Sequence, residues 1–238
     1  MRLLGGHIKV WQVVHLKKKA IKKTVAAVVI IIVLLILVCA AALVRLHGKT
    51  AAIQNDYSAV LHDEKYQRPA RAEGVEVITQ DVSCGYAVLE MFSRWNGGDL
   101  TEEDLYAEYG KVVTSMGKAF CEEMNKRFPE YTTTMRSYLT NTELLDTVYA
   151  CLSQGKLVPV EWAALYGDDW TLHYSLIVGM DIPNDTVTVA NPYGYMEEVS
   201  VAEFLERTSF EAYEHMPLFL KLGFAFGFFE KNTVFTVA

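Results

Sequence analysis

The alternation of apolar and polar positions divides this chain in two near residue 45. From Thr24 to Val44 no charged residue occurs, and Val28 to Val38 is almost wholly Val, Ile and Leu. Such a run is apolar on every side, unlike the single stripe of a soluble helix. As a helix its 21 residues extend about 31 Å, enough to cross a hydrocarbon core of about 30 Å. Residues 45–74 are polar without strong periodicity and read as a stalk or linker. A globular domain is expected over residues 75–238, large enough to bury its own core.

Within that domain helices come first. Cys84 to Trp95 sets Ala87, Val88, Met91, Phe92 and Trp95 on one stripe, and Gly97-Gly98 stops it. Thr101 to Asp104 has the form of a capping box, with Gly110 closing the helix that follows. Residues 114–127 predict another helix, and Asn141 or Thr142 caps one that ends at Gly155. The pattern then changes to strands over Leu157–Trp162, His173–Met180 and Thr186–Ala190, the last two joined in a hairpin by Pro183-Asn184-Asp185. Ser200 to Glu203 caps a short helix, and the aromatic tail from Pro217 to Phe229 is expected to pack on the sheet. Helices followed by an antiparallel sheet predict an α+β fold.

Charge sharpens the division. The 238 residues carry a net −7, but residues 1–49 hold nine Lys/Arg and no Asp/Glu, so all 29 acids fall in the remainder. An acidic domain lacks the basic surface that nucleic-acid binding requires. Lys17, Lys18, Lys19, Lys22 and Lys23 precede the apolar run. By the positive-inside rule, residues 1–23 stay cytoplasmic, 24–44 form a single-pass anchor in the cell membrane, and the rest is extracytoplasmic. A cleaved signal peptide is the competing reading, with Ala40 and Ala42 as a cleavage site, but the run exceeds the about 7–15 residues usual for a signal core. Residues 1–16, with Trp11, Val13, Val14 and Leu16, suggest a short amphipathic stretch.

Three residues stand out by placement. Cys84 opens a helix, where the positive end of the dipole is expected to lower a thiol pKa, and Gly85 would leave room for a substrate to approach the sulfur. His173 begins a strand, and Asn191 ends the next one, 18 residues later and across the hairpin. That pairing lets Asn191 hydrogen-bond the His173 ring, set its tautomer and aim the other ring nitrogen at Cys84.

The segments Gln80…Ser83-Cys84-Gly85-Tyr86-Ala87, His173-Tyr174-Ser175-Leu176-Ile177-Val178-Gly179 and Asn191-Pro192-Tyr193-Gly194 together resemble a papain-like cysteine peptidase. They are most similar to the bacteriocin-processing (double-glycine leader) peptidases, and to stand-alone relatives rather than peptidase–transporter fusions. The resemblance covers roughly residues 75–210. It implies a Cys84 nucleophile, a His173 base, Asn191 orienting the histidine and Gln80 donating to the oxyanion hole. Gln80 lies only four residues before Cys84, and Asn stands where the leader peptidases usually have Asp. His173 follows Cys84 by 89 residues, against about 130–150 in papain-type enzymes, which suits the more compact family.

The resemblance implies a membrane-anchored peptidase acting on a peptide or protein, with a transporter or secretion partner. A catalytically silent binding or accessory module on the same fold, and a cell-wall peptide amidase or acyltransferase, stay open. No cofactor is implied, and no His/Cys cluster has metal-ligand spacing. If the domain lies in an oxidising compartment, Cys121 and Cys151 are the pair available for a disulfide, leaving Cys84 free.

Overall fold

The computed structural model describes residues 4–110, 112, 114–210 and 216–238. Two compact units emerge, residues 1–45 and residues 46–238. The first is helical from Leu4, part of helix α1 (Leu4–Ile53), and its apolar side chains from Ile21 to Val44 stand exposed. This is one helix long and apolar enough to cross a membrane. The amphipathic reading of residues 1–16 rests on side chains outside the described residues.

The second unit contains α2 (Ser58–His62), β1 (Ala70–Arg71), α3 (Cys84–Trp95), α4 (Glu102–Tyr109), α5 (Gly117–Arg127), β2 (Thr133–Arg136) and α6 (Asn141–Leu152). It continues with β3 (Val158–Tyr166), β4 (Asp169–Asp181), β5 (Thr186–Asn191), β6 (Tyr195–Val199), α7 (Val201–Ser209), α8 (Leu218–Phe226) and β7 (Thr233–Val237). One antiparallel sheet runs β2-β7-β3-β4-β5-β6. β4 outlasts β3, and β1 pairs with its far end at Gly179 and Met180. Alternation along the strands sends side chains to two layers. Trp162 bonds Ser175 and faces Phe204 of α7, whereas Tyr174 stacks on Phe120 of α5 at 4.6 Å.

Several expectations change in detail. The capping residue of α6 is Thr140, which forms a full capping box with Glu143. The domain also starts earlier than the polar pattern of residues 45–74 suggests. Ile53, Val60, Tyr66, Ala70 and Ala72 are buried, spaced too irregularly to register as a stripe. Tyr66 packs edge-on against Tyr149 at 4.9 Å and donates to Asp146 at 2.8 Å. The tail after Pro217 forms a helix, α8, whose Leu220 and Phe224 pack with Ala163 of β3, so it covers the sheet as expected. Cys121 and Cys151 are free thiols. Cys121 sits on α5 against the Thr133 carbonyl, and Cys151 is buried on α6.

Truncating Tyr66 to Ala should therefore cost about 3 kcal/mol of domain stability, as for other buried aromatic truncations. Denaturant unfolding of the full chain measures it. An unchanged midpoint would mean that residues 46–72 are only a tether.

Candidate active site

Two arms of the fold meet at one cleft. The first arm carries Cys84. Ser83 is extended and accepts a hydrogen bond from the Tyr86 amide at 3.2 Å, so α3 starts at Cys84. The loop before it is held by an acid from the next helix. Glu102 accepts from the backbone N–H groups of Asp81, Val82 and Ser83 at 2.9, 3.0 and 2.9 Å. Glu90 in turn accepts from the Glu102 amide at 2.8 Å and pairs with Arg94 at 2.6 Å. Three amides on one carboxylate leave the loop little freedom to reposition the thiol.

The second arm carries His173. Its ring Nε2 lies 3.0 Å from Asn191 Oδ1, and the ring stacks on Tyr193 at 4.3 Å. The Asn191 amide has a defined polarity. Its Nδ2 donates to Glu197 Oε2 at 2.6 Å, because a carboxylate can only accept, and its Oδ1 also accepts from the Tyr193 amide at 3.0 Å. Oδ1 therefore faces the histidine, Nε2 carries the proton, and Nδ1 is left as the acceptor. Glu197 pairs with Arg207 at 2.6 Å. Arg207 is buried, donates to the Ala163 carbonyl at 2.8 Å and lies 3.5 Å over the Trp162 ring.

The arms are joined through the backbone. The Gln80 amide donates to the Pro192 carbonyl at 2.7 Å, and Thr79 bridges to Tyr193. Gly194 makes this approach feasible: it sits at φ 94°, and a Cβ there would lie 2.3 Å from Thr79 Oγ1. Gln80, Cys84, Trp170, His173, Tyr193 and Phe219 line a shared cleft of about 460 Å³. All four site residues expected from sequence are thus near it: Gln80, Cys84 and His173 in the wall, Asn191 behind the histidine.

The electrostatics differ from expectation. Burial pushes the Cys84 thiol up, and buried Glu161 adds to this, against the backbone N–H groups of Tyr174, Gly85 and Cys84 itself. Desolvation outweighs the helix terminus. Burial also pushes His173 down to about 4, with Arg207 adding to the effect while Asn191 and Glu197 oppose it. A neutral thiol and a neutral imidazole therefore line the resting cleft. Gly85 also serves a different purpose from the one expected: a Cβ there would lie 2.2 Å from Thr114 Oγ1, so its bareness admits Thr114 rather than substrate. His173 sits within β4 opposite Trp162, not at the strand's start.

Sequence reasoning missed three residues. Glu102 read as a simple helix-start acid, and Glu197 and Arg207 carried no signal at all. Behind the nucleophile lies a further group, Glu161, buried with neither carboxylate oxygen partnered among the described residues. Burial, and secondarily Glu230, pushes it up to about 8, so it is protonated at neutral pH.

A carboxyl group raised in the folded state stabilises folding below its unfolded pKa and loses that contribution as pH rises through the folded value. Glu161→Gln should remove this dependence. Thermal unfolding of wild type and variant should diverge in the variant's favour as pH rises from about 6.5 to 8. A constant difference across that range would mean that Glu161 is not held neutral.

The model of the Peptidase_C39 like family matches residues 72–217. No curated protein matches the sequence. Among solved structures, the chain is similar to a double glycine motif protease from an AMS/PCAT transporter, solved in complex with its leader peptide. Identity is 13%, covering 71% of this chain and 93% of that one, with a TM-score of 0.45. With the family model spanning well over half of the sequence, the chain belongs to the Peptidase_C39 like family and is a cysteine peptidase of papain-like α+β fold.

Proposed function

We propose that the protein is a membrane-anchored peptidase that cleaves a peptide bond with Cys84, His173, Asn191 and Gln80 on the extracytoplasmic face. One observation carries this reading: the polarity of the Asn191 amide leaves His173 Nδ1 as an acceptor in the cleft that Cys84 lines.

As Cys84 attacks the scissile carbonyl, its proton passes to Nδ1, so the charge separation is created during attack rather than stored beforehand. The resulting imidazolium is stabilised through Nε2 by Asn191 and the Glu197 anion behind it. Gln80 and the Cys84 backbone N–H hold the oxyanion. His173 then returns its proton to the leaving amine, and its neutral form activates water to release the acyl group. The lysine cluster before residue 24 supports a cytoplasmic N-terminus and an external domain. A peptide delivered by a secretion or transport partner would meet the cleft there.

The test is cleavage of a fluorogenic peptide library by the full chain in detergent, together with mapping of iodoacetamide adducts. Wild type should cleave at least one pool, Cys84→Ala should abolish cleavage, and His173→Ala should lower kcat/KM about 10²–10⁴-fold. Cys84 should also be alkylated at neutral pH faster in wild type than in His173→Ala. Absence of cleavage, with equal and slow alkylation of Cys84 in both proteins, would favour a silent binding module.

A further inference from the structure

Residues 216–229 run Met-Pro-Leu-Phe-Leu-Lys-Leu-Gly-Phe-Ala-Phe-Gly-Phe-Phe, with Lys221 the single charge. This stretch contains α8, and the helix has two apolar sides instead of one. Its inner side, Leu220 and Phe224, packs with Ala163, Phe210 and Met216. Phe229 folds back over Gly223, where a Cβ would lie 2.4 Å from its ring. The outer side leaves Leu218 69%, Phe219 68% and Phe226 46% exposed, and Phe228 is 61% exposed after the turn at Gly227. Beside it runs an apolar groove of about 510 Å³, lined by Met116, Phe219, Leu222, Phe226 and Phe228. A contiguous aromatic surface of this kind marks a contact with another apolar phase.

The fold indicates which phase. Leu46 packs against the same small cluster that holds Leu220 and Phe224. In sequence, Leu46 lies two residues after Val44, the last residue of the apolar span. Two residues reach at most about 7 Å. The helix therefore packs beside the residue with which the domain unit begins. We infer that the outer face of α8 seats on the lipid bilayer, with Leu218, Phe219, Phe226 and Phe228 in the acyl–headgroup boundary. Lys221 extends its ammonium to the headgroups. This rests on the membrane-anchor reading above. α8 and its N-cap Pro217 also line the wall of the catalytic cleft, the helix through Phe219 and Leu220. Seating the helix would hold the cleft at the bilayer surface, so a peptide reaches Cys84 from the membrane side.

The test uses the full chain in vesicles of phosphatidylcholine and phosphatidylglycerol doped with a lipid bearing a photoactivatable acyl chain. Adducts are mapped by mass spectrometry. The inference predicts adducts in two separate stretches, 24–44 and 216–229. A variant carrying Leu218→Ser, Phe226→Ser and Phe228→Ser should lose the second set and keep the first, with cleavage of short soluble peptides unchanged. Wild-type adducts confined to 24–44 would overturn the inference and leave the anchor standing. That result includes the case in which a second copy of the chain covers the face. Adducts in neither stretch would overturn the anchor reading, and the inference with it.

Discussion

The hydrogen bond from the Asn191 amide to the Glu197 carboxylate fixes the chemistry of everything in front of it. An amide side chain presents either a donor or an acceptor to a histidine, and the two ends differ little in shape. Glu197 removes the choice, because an anion accepts and cannot donate. Arg207 pairs with Glu197 at 2.6 Å and is itself held by the Ala163 carbonyl and the Trp162 ring. From this ion pair the order runs outward to Asn191, to His173 Nε2, and finally to the Nδ1 lone pair. A hydrogen-bond network in a low-dielectric interior is costly unless fully satisfied. That cost is what makes the tautomer a property of the fold rather than of the solvent.

The nucleophile arm is organised by the same means. Glu102 gathers three successive amides before Cys84, as Glu197 gathers Asn191 and Arg207 behind the base. The two arms are then tied by the Gln80–Pro192 bond and the Thr79–Tyr193 bridge. Gln80 is thus set by the backbone of the same turn that carries Asn191, despite its short spacing from Cys84. Both arms use a carboxylate to order polar groups, while Glu161 is kept neutral behind the thiol. An ionised Glu161 would oppose a thiolate at Cys84, so its neutrality is compatible with transient negative charge on the sulfur.

How much was legible depends on the range of the interactions. The helix at Cys84 is bounded by local signals, the Ser83 cap and Gly97-Gly98, and its ends were readable. The His173–Asn191 pair was readable because a hairpin relates its members within 18 residues. β2 and β7 were not legible: each is short, and Arg136 pairs with Val234 across about half the length of the domain. Glu197 and Arg207 stand among other polar residues and looked solvent-facing until the fold buried Arg207 and paired it with Glu197. The thiol was misjudged for a related reason. A helix terminus is visible in sequence, but the burial that dominates Cys84, and the Glu161 carboxyl that adds to it, exist only once the chain has folded. Residues 45–74 look polar because their buried side chains follow no period, having been selected by separate contacts with α6 and β4.

The central claim concerns where one proton resides, and ¹⁵N NMR of histidine-labelled protein measures it directly, with His173→Gln providing the assignment. At neutral pH the account predicts a single His173 ring with a protonated, pyrrole-type Nε2 and an unprotonated, pyridine-type Nδ1. That pattern should persist well below the ordinary histidine pKa, because burial pushes the ring down to about 4. A proton on Nδ1, an average of the two tautomers, or an imidazolium at neutral pH would contradict it.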